Sequence, residues 1–315
     1  MNNRNMEKLT GGLWGSLVGD ALGVPVEFKN RATVQSNPVT GMRGYETHQQ
    51  PLGTWSDDSL MLLCSVESLL EHEFSPEDLA QRFLSWDREN HWTPHGIVFD
   101  MGIATRQAIR RIGSGVTALE CGGRNQYDNG NGSLMRILPV CLRFAYADND
   151  TFVQRIEDAS AITHGHQRSL MACVMHGLVV RRLLCGESAK LAVAGAQDDF
   201  RSIYESYWAD EISLFRNVLH PVLAGFPEGG IFSGGYVMET LEASLWCLLT
   251  TDNFRDCALK AVNLGGDTDT TGCVAGGLAG VLYGSDAIPI DWIAALARRE
   301  EVAVVVDKFA ELCCR

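Results

Sequence analysis

The chain has 315 residues, 46% hydrophobic and 21% charged, the make-up of a globular protein with a sizeable core. Its 26 lysines and arginines against 39 aspartates and glutamates leave a formal charge of -13, which disfavours nucleic acid and anionic membrane surfaces as partners. Ten scattered cysteines without a CxxC pair read as buried thiols, and neither a basic-then-apolar leader nor an uninterrupted apolar run of about eighteen residues is present, so the expectation is a cytoplasmic protein without a membrane span.

The opening "MNNRN" is expected to be disordered. Next come Gly11, Gly15, Gly19 and Gly23, one every fourth residue; on a helix they form a smooth stripe for close approach of another backbone. Apolar spacing of three and four predicts helices over 58–70, 76–86 and 102–112. The segment 113–133, rich in Gly and Asn, reads as a long loop of the kind that lines functional sites. Further helices are predicted over 169–184, 236–249 and 270–283, with a second long loop over 221–235. The β-branched run "VAVVV" at 302–306 has helical neighbours and no hairpin turn beside it. These signals predict an all-α fold, built as a single domain over 1–315.

Two acidic helix mouths stand out. Ser56, Asp57 and Asp58 precede an apolar helix expected to begin near Leu60, and Asp267 to Thr271 precede another. Capping explains one acid at each, since Asp, Ser and Thr accept bonds from unpaired backbone N–H groups. It explains less well a second acid close by, because neighbouring carboxylates repel unless a cation sits between them. Together the mouths offer four carboxylates and several hydroxyls with no His or Cys nearby in sequence, a hard-ligand set that suits Mg²⁺, Mn²⁺ or Ca²⁺ and poorly suits Zn²⁺.

With these residues in view, the chain resembles the ADP-ribosylglycohydrolase family along nearly its whole length. The resemblance rests on "GSLVGDALGVPVEF", "WSDDS", "FDMGIATRQAI", "NGNGSLMRILPV", "THGHQRS", "GGYVMETLEASLW" and "NLGGDTDTTG", in the family's order. It implies an all-α fold around two Mg²⁺ or Mn²⁺ ions and cleavage of the C1″ glycosidic bond of ADP-ribose, the acceptor being arginine, with serine, poly(ADP-ribose) or O-acetyl-ADP-ribose as alternatives. A catalytically inactive ADP-ribose binder is a further alternative. By position, Ser56, Asp57, Asp58, Asp267, Asp269 and Thr270 are the implied metal ligands, with Ser56 and Ser59 standing where the family usually has threonine. Asp100 matches a catalytic carboxylate of the arginine-directed branch, and Glu27 a glutamate that approaches the metals in the serine-directed branch. The implied ligand-binding set is Asn129, Gly130, Asn131, Gly132, Ser133, Arg136, His164, Gly235 and Tyr236. On their own, Asp100 also reads as a helix N-cap, Arg136 as a brace for the loop or the acidic site or as a plain surface residue, and Tyr236 as core. The implied partners are an ADP-ribosylated protein as substrate and ADP-ribose as product, handled by a monomer.

Overall fold

The computed structural model describes residues 3–315. The fold is all-α, with fifteen α-helices among the described residues, joined by short 3-10 turns. In chain order they are α1 (Asn3–Gly23), α2 (Arg31–Ser36), α3 (Asp57–Glu71), α4 (Pro76–Glu89), α5 (Ile103–Gly113), α6 (Leu138–Arg143), α7 (Asn149–Ala161), α8 (Gln167–Leu184), α9 (Ala189–Tyr204), α10 (Ala209–Ile212), α11 (Val237–Leu249), α12 (Phe254–Val262), α13 (Thr268–Tyr283), α14 (Ile290–Ala295) and α15 (Arg299–Cys313). Only isolated bridges, such as Gly130 with Tyr236, interrupt this pattern among the described residues.

The glycine stripe explains the centre of the fold. A Cβ at Gly11, Gly15 or Gly19 would run into the backbone of Gly280, Gly276 or Gly272 respectively, so α1 and α13 lie antiparallel with their backbones nearly touching. Both faces of this seam need glycine, which is why α13 repeats the four-residue spacing. From Thr268 to Val281 every residue of α13 is buried, the signature of a helix surrounded by protein. Helices α11, α12, α8 and α3 pack on α13, and α15 closes over α1 and α3.

Two sequence-based boundaries shift, those of α3 and α1, while the run 302–306 follows its helical neighbours. Helix α3 starts at Asp57, three residues before Leu60, with Ser56 as N-cap accepting from the Asp58 N–H, so the two acids lie inside the first turn where the helix dipole favours them. The run 302–306 is helical within α15, its apolar face set against the core at Val302 and Val306. Asn3 to Asn5 belong to α1 rather than to a disordered leader; the rest of "MNNRN", Met1 and Asn2, lies outside the described residues. The loops 113–133 and 221–235 are largely irregular, holding one and two 3-10 turns. No helix among the described residues is long and apolar enough to cross a membrane.

Candidate active site

The close approach of α1 and α13 brings four chain segments to one point. Asp20 stands one turn before the end of α1, in an otherwise apolar segment, and is completely buried. Its carboxylate accepts from the backbone N–H of Ser56 at 3.0 Å and of Ser59 at 3.0 Å, and from both serine hydroxyls. Burial still pushes its pKa up to about 6 despite these donors. Asp20 thus ties α1 to the first turn of α3 and aims Asp57 and Asp58 toward the start of α13. Sequence reasoning missed it. The available signal was an acid alone among apolar residues between Glu7 and Glu27.

Across from α3, Asp267 is the N-cap residue of α13, yet its side chain caps nothing. One Asp267 oxygen accepts from Asn131 Nδ2 at 2.9 Å; the other is buried without a partner. Asp269 Oδ1 accepts from the Thr270 N–H at 2.9 Å, and its Oδ2 is likewise without a partner. Asp58 Oδ2 lies 3.3 Å from Thr270 Oγ1 and 3.1 Å from Ser56 Oγ, while Asp58 Oδ1 has no partner. The Ser56 hydroxyl has one proton to share between Asp20 and Asp58, so one of the two must do without it. Burial, reinforced by neighbouring carboxylates, holds Asp57, Asp58 and Asp269 well above the usual carboxylate range.

Glu27 follows the turn Val24–Val26 that ends α1. It is buried, its pKa is pushed up to about 7 by desolvation, and one of its oxygens lies within 4.8 Å of oxygens from Asp267 and Asp269. Its other neighbour is His48, whose Nε2 pairs with the carboxylate. His48 packs between the rings of Phe28 and Phe99, with centroids 6.0 and 5.4 Å away, and is the second residue that sequence reasoning missed. Nothing periodic marks it, because it sits in the irregular segment before α3. Asp100 joins this group, one atom each of Glu27, His48 and Asp100 falling within 4.8 Å. It does not cap α5, whose N-cap is Gly102. Instead it holds a left-handed φ of 48°, a conformation that costs a non-glycine residue roughly 1 kcal/mol or more.

These acids form one wall of a cavity of about 360 Å³, large enough for part of a nucleotide-sized ligand. Glu27, Asp57, Asp100, Asp267 and Thr270 line one side; Gly130, Asn131, Gly132, His164 and Gly235 line the other, and among the described residues no lysine or arginine lines it. Gly130 and Gly132 press on the His164 imidazole: a Cβ on Gly132 would come 2.9 Å from its Cε1. Asn131 is braced by Thr240 Oγ1 at 2.8 Å and by its own N–H to Gly235 O at 3.1 Å, so that amide is not free for a ligand. Tyr236, the N-cap residue of α11, is about one-third exposed and borders an adjoining depression with Asn129 and Arg168.

Four residues of the implied ligand-binding set do not line the cavity: Asn129 and Tyr236 border only the depression, and Ser133 and Arg136 border neither. Ser133 is fully buried, accepting from Ser160 Oγ at 2.8 Å. Arg136 is also buried, its guanidinium 4.6 Å from the Phe83 ring centroid and its Nη2 donating to Ala159 O and Thr163 Oγ1. Its hydrogen-bond partners lie on α7 and just after it, outside the loop 129–133. A larger cavity of about 520 Å³ between α1, α6 and α15 has Glu73 as its only acidic side chain and no cluster of acids.

Three unpartnered buried carboxylate oxygens, on Asp58, Asp267 and Asp269, are costly unless a cation neutralises them, and an all-oxygen set is what Mg²⁺ or Mn²⁺ accepts. The residues therefore fit such ions. Among known proteins, a family profile described as ADP-ribosylglycohydrolase matches residues 1–315. The chain is 29% identical to an ADP-ribosylarginine hydrolase, Tri1, of Serratia proteamaculans, covering 97% of this chain and 80% of that one. It is 30% identical to the ADP-ribosyl-[dinitrogen reductase] glycohydrolase of Rhodospirillum rubrum, covering 94% and 92%. A solved ADP-ribosylglycohydrolase-related protein complex superposes with a TM-score of 0.78 at 32% identity, over 99% of both chains.

Proposed function

We propose, from the premise that this chain belongs to the ADP-ribosylglycohydrolase family, that it is a hydrolase releasing ADP-ribose from ADP-ribosylated arginine of a protein, using two Mg²⁺ or Mn²⁺ ions. The observation that carries the reading is the trio of buried, unpartnered oxygens on Asp58, Asp267 and Asp269, of which Asp267 lines a cavity that has no lysine or arginine among its described lining residues. Relatives that share about three residues in ten and are named for arginine or dinitrogen reductase targets support the choice of acceptor.

In this reading Asp57, Asp58, Asp267 and Asp269, with Thr270, hold the cations, and Ser56 acts through its bonds to Asp20 and Asp58. Divalent ions held there supply Lewis acidity and offset the charge of a diphosphate ligand. Asp100 is placed beside Glu27 and His48 to orient water or take its proton as the glycosidic bond breaks. Gly130, Gly132, Gly235 and His164 shape the opposite wall, and Tyr236 with Arg168 borders the depression where the rest of the nucleotide would extend. The whole chain acts as one domain and as a monomer. Ten free thiols, seven of them buried, support a reducing, cytoplasmic setting.

A second reading, ADP-ribosyl-serine as substrate, is favoured by one observation: Glu27 reaches the Asp267 and Asp269 pair. The test of the common chemistry is product analysis with an ADP-ribosylated arginine peptide. Intact ADP-ribose appears with Mg²⁺ or Mn²⁺ and not with chelator; AMP plus a peptide that keeps phosphoribose on its arginine would instead mark pyrophosphate hydrolysis. In the same assay Asp100→Asn lowers kcat about a hundredfold, and a loss of only a fewfold removes Asp100 from the chemical step.

A further inference from the structure

A buried arginine that does not line the cavity raises the question of what it does. Arg136 Nη2 donates to Thr163 Oγ1 at 2.7 Å, and that oxygen lies 2.9 Å from His164 Nδ1. We propose that Arg136 and Thr163 are positioning residues that fix the proton of His164 on Nε2, so that the ring presents a hydrogen-bond donor to an oxygen of the ligand in the cavity. The inference rests on the reading of the cavity as an ADP-ribose site.

The argument is one of counting protons. A guanidinium has donors and no acceptor, so Arg136 occupies a lone pair of the Thr163 oxygen and leaves the hydroxyl proton unused. His164 Nδ1 is the only acceptor within reach of that hydroxyl among the described residues. Were the imidazole proton on Nδ1, two donors would converge on Thr163 and its own hydrogen would be buried without a partner. With Nδ1 accepting, Arg136 Nη2 donates to Thr163 Oγ1 and the Thr163 hydroxyl donates to His164 Nδ1, so that no proton is left over between them. The histidine backbone is held as well: its N–H donates to Ser160 O at 2.8 Å.

At its other edge the ring is free. His164 lines the cavity, its Nε2 has no protein partner, and Gly130 and Gly132 leave room beside it that a side chain would fill. Burial pushes the His164 pKa down to about 3, so the ring stays uncharged at neutral pH and donates without competing with the cations for the acids opposite. Arg136 itself, pushed down by burial to about 10, keeps its charge. The assignment gives the loop wall a donor of fixed direction suited to a ribose or phosphate oxygen, and it excludes His164 as a general base.

The test is a ¹⁵N–¹H correlation spectrum of the histidine rings in the full chain, with His164 assigned by comparison with His164→Gln. The expected wild-type pattern is a protonated Nε2 and an accepting Nδ1 across neutral pH. Thr163→Val is expected to mix or invert the tautomer and to weaken ADP-ribose binding in Mg²⁺ buffer about tenfold, with Thr163→Ser restoring both. A protonated Nδ1 in the wild type, or an unchanged tautomer in Thr163→Val, overturns the relay; a changed tautomer with unchanged affinity overturns the donor role. Failure of the wild type to bind ADP-ribose counts against the site reading instead, and the ring spectrum still decides the relay.

Discussion

Helices α1 and α13 meet twice, on opposite terms. Along their middle they touch through glycines, backbone against backbone, with no charge between them. At the far end of the same seam, where Asp20 and Asp269 stand, they enter a cluster of buried carboxylates that repel one another and include oxygens with no partner. The first contact is satisfied by the protein alone, through burial and dispersion. The second is not, and its strain is tolerable because the seam fixes the backbone beside it. The difference shows how a fold separates stability from function: the atoms that hold the helices together lie a few turns from the atoms left waiting for a ligand.

This separation is exposed most strongly by Asp269→Asn. Removing one carboxylate of the cluster costs several kcal/mol of metal-derived stabilisation, on the order of a thousandfold in kcat/KM, while it relieves repulsion and raises the melting temperature of the metal-free protein. If the metal-free variant melts lower instead, the cluster is a structural device and the contrast fails. Gly15→Ala attacks the other contact. Its Cβ meets the Gly276 backbone, so urea unfolding should show a loss of about 3 kcal/mol, with turnover per folded molecule near wild type. Equal damage to turnover would mean that seam and cluster are one unit.

A smaller effect sharpens the electrostatic half. In the chelated protein, burial raises the Asp20 pKa to about 6 and that of Glu27 to about 7, both above ordinary carboxylates. Groups shifted upward in the folded state stabilise it fully at low pH, below their unfolded values, and lose that contribution as pH rises through about 6 to 7. The melting temperature of the chelated protein should therefore fall across this window by more than that of the protein with Mn²⁺. Parallel curves in calorimetry would show that the acids do not feel the ion.

How much of this was legible follows from which signals are local. The apolar spacing of α8, α11 and α13 marks them as helices directly, and the glycine stripe announces a close contact on α1. The identity of the partner helix is not local, although α13 carries its own glycines at the matching spacing. Asp57, Asp58, Asp267 and Asp269 declare themselves by pairing. Asp20 does not, because a single acid in an apolar helix has the same appearance whether it caps, solvates or organises two serines. His48 depends wholly on a chain reversal that no periodicity describes. Asp100 and Tyr236 were visible only through the family resemblance, and Arg136 shows the limit of that route, since its position in the motif suggests ligand contact while the structure buries it under His164.

The most direct measurement is mass-spectrometric product analysis with matched peptides carrying ADP-ribose on arginine or on serine, run with Mg²⁺ and with chelator. The account expects intact ADP-ribose from the arginine peptide, in Mg²⁺ alone. Release from the serine peptide only would overturn the acceptor, and release from arginine that persists in chelator would contradict the assignment of the acidic cluster as the cation site.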